Sequence, residues 1–270
     1  MFKQVIVGVD FSEAWQELEK RLQPLLQLLG VQQVTLVYVH KTLRWQKESP
    51  EEGASQLSHL RQLAEDLGKA YGLPVAHEFR RGMPASELIE CARERQADGV
   101  IVGNSSHSVY RDFILGNVTL NVARLAQIPE VVLPVDATGT TEQSPLLLAT
   151  DGSEAASRAE SLFAGLIGGH NSGEVVMVSD GDSEPLSPEE LEKGRAMADS
   201  LGKDMPLRTL QGDPATELTR YARECSARLM VMGKRGETDM RELPLGSTAE
   251  SVLRLAVTPV MLVPQHIVRS

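Results

Sequence analysis

The sequence predicts an α/β protein built from two tandem domains, each a doubly wound, mostly parallel five-stranded sheet with helices on both faces. Three observations lead to this prediction. Motifs recur at a constant offset along the 270 residues, short apolar runs alternate with segments of helical periodicity, and glycines follow several of the apolar runs. Repetition on this scale indicates a duplicated structural unit, and strict alternation of strands and helices indicates a parallel sheet.

The repeat is clearest around one motif. Residues 82–88 are Gly-Met-Pro-Ala-Ser-Glu-Leu, and residues 212–218, 130 positions later, are Gly-Asp-Pro-Ala-Thr-Glu-Leu. The same offset joins Gly103 to Gly233 and Gly116 to Gly246. Between the halves, residues 136–145 are polar and lack apolar periodicity, so they are predicted to form a linker. We expect one domain over residues 1–136 and a second over residues 145–270.

Apolar runs rich in β-branched residues are typical of strands that a parallel sheet buries on both faces. Asp213 followed by Pro214 is a typical helix start, whereas Pro24 is expected to kink or end the first helix, whose apolar stripe includes Trp15. Ligands of doubly wound sheets bind beyond the carboxyl ends of the strands. The predicted strands are residues 5–9, 34–39, 75–79, 100–102 and 131–135 in the first half and 146–149, 175–178, 207–210, 229–232 and 260–263 in the second.

Composition disfavours several classes of partner. A formal net charge of -10 argues against nucleic acid and anionic membranes, because both attract basic protein surfaces. No apolar run reaches the roughly 18 residues of a membrane span. Cys91 and Cys225 are the only cysteines, and the histidines lack metal-ligand spacing. We therefore expect a cytoplasmic protein with two core cysteines and no metal held by the protein alone.

The strand exit at Gly233 has chemistry suited to an anion. Gly233, Gly236 and Gly246 lack a Cβ atom, so backbone N–H groups could converge on a phosphate between them. Ser247 and Thr248 would add hydroxyl groups at the positive end of a helix dipole. This segment is therefore a candidate phosphate loop.

Charged residues flank the same loop. Lys234 and Arg235 could make charge-assisted contacts with an anion, and Asp151, after the first strand of this half, would face them across the crevice. A purely structural alternative exists, because Ser247 and Glu250 fit a helix capping box and glycines are common in turns.

The spacing of the glycines points to one protein family more specifically than the anion-binding chemistry of the loop does. Gly-x2-Gly-x9-Gly-Ser, with the Asp-Gly-Ser-Glu opening at residues 151–154, resembles the universal stress protein family over essentially the whole chain. The resemblance implies a Rossmann-like fold of the adenine nucleotide alpha hydrolase type and a bound adenine nucleotide, ATP or AMP, with Mg²⁺ as an optional companion. Adenine and ribose would lie near Asp151 and Val178, Met232 would close the pocket, and the phosphates would lie at Gly233, Arg235, Gly236, Gly246, Ser247 and Thr248.

The first half departs from this pattern. Its corresponding candidates are Asp10, Val39, Gly103, Gly116 and Asn117. Ser106 replaces the middle glycine, which hinders a close phosphate approach, and Asn117 stands where the second half has a hydroxyl residue. We expect one competent site, in the second half, and leave open whether the first half binds a ligand.

These observations favour a stress-response protein that binds an adenine nucleotide for regulation, since the sequence shows no catalytic set. A weak ATPase or nucleotidyl-transfer enzyme on the same fold is one alternative, and an interaction scaffold without a ligand is another. The homologous domains are expected to pair about a pseudo-twofold axis within the chain, and a homodimer is left open. The loop 41–54, with Trp45, is either a partner-binding or lid segment or a solvated insertion whose Trp packs locally.

Overall fold

The computed structural model describes residues 2–41, 50–104, 116–135, 139–168, 172–179, 185–202, 205–236 and 244–265. The chain divides into two compact units, one made mainly of Met1–Gly103 and Asn117–Glu130 and the other mainly of Val131–Ile267. Trp45 and Ser106, both singled out in the sequence, lie outside the described residues.

The first unit alternates strands and helices. Its elements are β1 (Gln4–Val9), α1 (Glu13–Leu29), β2 (Gln33–Lys41), α2 (Pro50–Tyr71), β3 (Val75–Gly82), α3 (Pro84–Glu94), β4 (Gly99–Asn104) and α4 (Asn117–Leu125). The strands follow the order β3-β2-β1-β4, and the registered pairs are parallel.

The second unit repeats this arrangement. Its elements are β5 (Glu130–Pro134), β6 (Leu146–Ala149), α5 (Ser157–Ile167), β7 (Gly173–Ser179), α6 (Pro188–Leu201), β8 (Leu207–Gln211), α7 (Pro214–Glu224), β9 (Leu229–Gly233), α8 (Ser247–Leu255) and β10 (Val260–Val263). The strands of the second half follow the order β8-β7-β6-β9-β10, again with parallel pairs. The predicted fold class is confirmed. From Val131 onward β5 belongs to this compact unit, and the boundaries 1–136 and 145–270 stay a prediction.

Burial explains why the strands could be predicted from apolar runs. All residues of β6 and β9 are buried, as expected for central strands covered on both faces. The outermost strands β3 and β8 are mostly half-buried or exposed and carry charged residues. Because such exposed strand residues need not be apolar, the apolar signal ended at residue 79, although β3 extends to Gly82.

Helix boundaries confirm one prediction and correct two. The Asp213 side chain accepts the Thr216 N–H at 2.9 Å and caps α7, with Pro214 as the first helical residue, as predicted. α1 continues past Pro24 to Leu29, so the alternative that the helix ends there was wrong, and a kink at Pro24 stays a prediction. Pro24 is exposed, and water can therefore solvate the carbonyl that its ring leaves without a donor. α2 begins at Pro50, so part of the expected loop 41–54 is helical.

Of the three core residues predicted outside the strands, Trp15 and Cys91 are buried and Cys225 is only half-buried. Trp15 is 6% exposed within the apolar face of α1. Cys91 is buried in α3, whereas Cys225 is half-buried, and neither forms a disulfide. Burial raises the pKa of Cys91 to about 11, so its thiol is protonated at neutral pH and donates a weak hydrogen bond to the Glu78 carboxylate at 3.5 Å.

Candidate functional site

A cleft lies in the second unit at the carboxyl ends of β6 and β9, beside the first residues of α7 and α8. These segments are far apart in the sequence. The doubly wound topology brings them together because its parallel strands end at the same edge of the sheet. All nine residues predicted for the second half line this cleft: Asp151, Val178, Met232, Gly233, Arg235, Gly236, Gly246, Ser247 and Thr248.

Two of the glycines are required by close backbone contacts. A Cβ atom on Gly233 would lie 2.8 Å from the carbonyl oxygen of Arg235 and 3.5 Å from that of Ala155. A Cβ atom on Gly246 would lie 3.2 Å from the carbonyl oxygen of Lys234, which also accepts the Gly246 N–H at 2.9 Å. A side chain at either position would push the backbone apart. The glycines therefore hold the exit of β9 against the start of α8.

The opening after β6 turns Asp151 toward the same loop. The Asp151 Oδ1 atom accepts the Ser153 N–H at 3.0 Å, and the Oδ2 atom lies so close to Gly236 that it would clash with a Cβ atom there. Gly152, which lies between Asp151 and Ser153 in the sequence, has a φ of 70°, a left-handed backbone conformation that glycine adopts without steric cost. The Asp-Gly-Ser sequence thus forms a turn that places the carboxylate beside the glycine loop.

Helix α8 starts at the cleft. Its N-cap is Gly246, and within the described residues no side chain caps it. Ser247 is the first helical residue, while Glu250 forms an ion pair with Arg254 at 2.7 Å. The capping-box interpretation of Ser247 and Glu250 was therefore wrong. The first N–H groups of a helix have no intrahelical acceptor and, with the helix dipole, favour an anion.

Two cationic residues line the cleft between the glycines. Lys234 is only 4% exposed, and its backbone N–H donates to the carbonyl oxygen of Val263 at 3.0 Å. Arg235 is half-buried. Positive charge is thus concentrated locally in a protein whose net charge is -10. Such a site favours anions through charge-assisted hydrogen bonds.

A buried carboxylate lies behind the cleft. Glu160 of α5 is 9% exposed, and its Oε1 atom accepts the hydroxyl hydrogen of Thr150 at 2.7 Å. The Thr150 oxygen in turn accepts the Gly152 N–H at 3.0 Å. Burial raises the pKa of Glu160 above its ordinary value, the hydrogen bond from Thr150 opposes this, and the charge of Asp151 adds to it. Glu160 is therefore easier to protonate than an exposed glutamate.

Sequence reasoning missed several lining residues. Pro214 and Leu218 belong to the repeated motif 212–218, whose recurrence was evident and which was interpreted as a helix start but not as part of a binding site. Thr150 immediately precedes the predicted Asp151, but the threonine carried no signal of its own. Lys234 was expected to contact an anion, and it does line the cleft. The lining residues that were not predicted are Ala149, Thr150, Ala156, Val176, Pro214, Leu218 and Ala249.

The first-half candidates form local contacts of their own. Asp10 follows β1, and its Oδ1 atom accepts both the backbone N–H and the hydroxyl hydrogen of Ser12, at 3.0 and 2.7 Å. Val39 lies in β2. A Cβ atom on Gly103 would collide with the Leu18 side chain of α1, whereas the equivalent Gly233 faces backbone atoms.

The start of α4 falls at the border of the compact units. Gly116 belongs to the second unit and Asn117, the first residue of α4, to the first. Thr119 of α4 donates its hydroxyl hydrogen to the carbonyl oxygen of Gly103 at 2.7 Å. The five first-half candidates are therefore divided between the units, and their role as a site stays a prediction.

In both halves the residue after the aspartate that follows the first strand has a left-handed backbone conformation, but the residue type differs. Phe11 occupies the position of Gly152, and its φ of 54° is also left-handed. That conformation costs a bulky residue about 1–2 kcal/mol. The Phe11 ring stacks on Tyr38 and on His59, with centroid distances of 5.0 and 4.5 Å, and such contacts offset part of the cost.

Fold and cleft together define a class: a tandem α/β protein whose second half has a glycine-lined cleft at the carboxyl ends of parallel strands. The sequence profile of the universal stress protein family matches residues 1–134 and 144–264. The chain therefore belongs to the universal stress protein family. A universal stress protein of Mycolicibacterium smegmatis is 30% identical over 247 residues, which cover 84% of this chain and 80% of the relative. One from Mycobacterium tuberculosis is 27% identical over 241 residues, covering 82% and 79%.

Solved structures share the fold over nearly the whole chain. A universal stress protein from Archaeoglobus fulgidus superposes with a TM-score of 0.76 at 21% identity, covering 97% of this chain and 96% of that one. A protein of unknown function from Pseudomonas aeruginosa gives a TM-score of 0.70 at 17% identity, covering 98% and 93%. At these identities the likeness supports the fold alone.

The described residues include neither a candidate membrane span nor a cluster of metal-ligating side chains. None of the helices there combines the length and the apolar composition that a membrane span requires. The same part of the chain contains no group of three or more His, Cys, Asp or Glu side chains arranged to hold a metal ion.

Proposed function

We propose that the second half of this universal stress protein binds an adenine nucleotide and that the presence or absence of the nucleotide in this site regulates the protein. The observation that carries the proposal is that the predicted residues from four separate segments line one cleft. Chance would not bring together a carboxylate, a glycine loop, a helix start and two cationic residues at the ligand-binding edge of a doubly wound sheet.

The two ends of the cleft suit the two ends of a nucleotide. Val176, Val178 and Leu218 give an apolar wall for a base, and the Asp151 carboxylate can accept hydrogen bonds from ribose hydroxyls. The glycine loop and the start of α8 would hold the phosphates, with Lys234 and Arg235 supplying charge.

Magnesium would fit at the phosphate end. The hydroxyls of Ser247 and Thr248 line the cleft there, and Mg²⁺ prefers oxygen ligands shared between a protein and phosphates. Within the described lining, Asp151 is the only carboxylate and no histidine or cysteine occurs. This donor set supports nucleotide retention and regulation more than catalysis of hydrolysis.

Calorimetry with ATP and with AMP tests the proposal on the full chain. The Gly246→Val variant should bind at least about 10-fold more weakly, because the side chain separates the loop from α8. Gly139→Val is the matched control, since its Cβ atom meets open space. Equal affinity of the wild-type protein and Gly246→Val would reject the site.

The stoichiometry from calorimetry and two further measurements address the alternatives. A stoichiometry of two nucleotides per chain, reduced to one in Gly116→Val, would assign a second site to the first half. Phosphate release several-fold above buffer, abolished in Ser247→Ala, would favour a weak ATPase. Mass spectrometry of small molecules released on denaturation would identify a co-purified ligand. The cytoplasmic location, the pseudo-twofold pairing and a homodimer stay predictions.

A further inference from the structure

Glu160 lies outside the lining of the cleft but is joined to it by a short chain of hydrogen bonds. The chain runs from the Glu160 carboxylate to the Thr150 hydroxyl and from there to the Gly152 N–H, at 2.7 and 3.0 Å. Thr150 and Glu160 are both 9% exposed. We call these three residues the relay.

The relay fixes the peptide that follows Asp151. The Gly152 N–H is held by Thr150, and the next amide, that of Ser153, is held by the Asp151 carboxylate itself. Since both bonds lie within a turn with a left-handed residue, they limit rotation of the backbone on either side of Asp151. Its Oδ2 atom is thereby kept against Gly236.

Donor and acceptor assignments give Glu160 a specific part in this chain. The threonine hydroxyl has one hydrogen, and Glu160 accepts it, so the Thr150 oxygen offers its lone pairs to the Gly152 N–H. Without the carboxylate the hydroxyl could rotate and would no longer be held in this orientation. An acceptor at position 160 is therefore what orients the relay.

The relay occurs in the half that has the cleft described above. The residues that correspond to Thr150, Gly152 and Glu160 in the first half are Val9, Phe11 and Glu19. Valine has no hydroxyl, so the same chain of hydrogen bonds cannot form there.

We propose that Glu160 is a positioning residue for the nucleotide cleft: through Thr150 it fixes the Gly152 peptide and so orients Asp151 toward the glycine loop. This inference rests on the proposed function of the second half. It extends that function to a residue of α5 that does not itself line the cleft.

ATP titration of the full chain by calorimetry tests the proposal. Thr150→Val keeps the shape of the side chain and removes the hydroxyl, and Glu160→Leu removes the acceptor. Each should weaken ATP binding by roughly 3- to 10-fold, the range of one net hydrogen bond. The double variant should be no weaker than either single variant, since both changes break the same chain.

Conservative variants and a control separate positioning from general damage. Thr150→Ser and Glu160→Gln preserve the donor and the acceptor, so both should bind ATP like the wild-type protein. Thr219→Val is the matched control, because it removes a buried hydroxyl that donates to the Ala215 carbonyl within α7, and neither residue lines the cleft. It should leave ATP affinity unchanged even if it lowers stability.

A ligand-free readout completes the test. The amide proton of Gly152 should move upfield in the NMR spectra of Thr150→Val and Glu160→Leu, but not in Thr219→Val. If the wild-type protein binds ATP and Thr150→Val binds it equally well, the positioning role is wrong while the nucleotide site stands. If the wild-type protein binds neither ATP nor AMP, the proposed function fails and the positioning role fails with it.

Discussion

The carboxylate of Asp151 occupies the space in which a side chain at Gly236 would begin. The two residues are distant in sequence, one after β6 and the other in the loop after β9, yet no atom of a larger residue fits between them. The glycine at position 236 thus makes room for a neighbouring carboxylate.

Gly236→Ala should therefore weaken ATP binding by about 10-fold, because its Cβ atom displaces Asp151 from the cleft. The free energy of unfolding should change by less than about 1 kcal/mol, since position 236 is exposed. Calorimetry and urea denaturation measure the two effects. Gly139→Ala serves as the control, and unchanged affinity in Gly236→Ala would show that the contact has no functional weight.

Two glycine-to-alanine substitutions in the second half should have opposite effects on stability. Gly152 has a left-handed φ of 70°, so alanine there should lower the free energy of unfolding by about 1 kcal/mol. Gly165 is an exposed interior residue of α5 with open space around its Cβ position, so alanine should raise it by about 0.5–1 kcal/mol. Urea denaturation at one pH compares both, and effects of the same sign would contradict the assigned conformations.

Glu160 makes the stability of the protein depend on pH. Because burial raises its pKa in the folded state, folding favours the protonated form, and the ionised form destabilises the fold increasingly as pH rises through that pKa. Glu160→Gln removes this charge and retains an acceptor for Thr150. The variant should be more stable than the wild-type protein at pH 7, and the difference should shrink toward pH 4. A difference that stays constant over this range in urea denaturation would contradict the raised pKa.

An ion-pair network in the first half should make the stability of the protein depend on pH in the opposite direction, so that stability is lost as the pH falls. Arg80 contacts the carboxylates of Glu78, Glu87 and Glu94, and Arg95 contacts Glu78 at 2.7 Å. Burial favours the neutral form of Glu78, but hydrogen bonds from Arg95 and Arg80 outweigh it and lower the pKa below 4.5. This stabilisation is present above pH 4.5 and is lost as pH falls through the lowered pKa.

Arg80→Leu should lower the free energy of unfolding by about 2 kcal/mol at pH 7, because it leaves three clustered carboxylates without their shared partner. The loss of stability on acidification should also be smaller than in the wild-type protein. Thermal melts between pH 3 and pH 7 compare the two proteins. The result would contradict this account if the melting temperatures of both fell in parallel.

The sequence predicted the elements of this fold well because each central strand is a short apolar run. β6 and β9 are buried along their full length, so their composition alone revealed them. The edge strand β3 was underestimated, because its last residues are charged and its pairing with β2 depends on position in the sheet. Glycine spacing predicted the second-half cleft, since it records where backbones come close.

The relay could not have been predicted in the same way. Glu160 lies among the apolar positions of α5, next to Ala159 and three residues before Phe163, and such a residue is ordinarily solvent-exposed. Its partner Thr150 becomes evident only when β6 and α5 pack together. The near-complete burial of Lys234 likewise results from packing between β9 and the start of α8, which residue type does not indicate.

The peptide groups on either side of Lys234 join three elements at once. The Lys234 N–H is bound to Val263 of β10, and the Lys234 carbonyl is bound to the N–H of Gly246. Opening the glycine loop therefore breaks a link to the last strand as well as one to a helix. Amide hydrogen exchange at Lys234 and Gly246 should accordingly proceed at a common rate, as in one cooperative unit of local unfolding, and a ligand that slows exchange at one should slow it at the other.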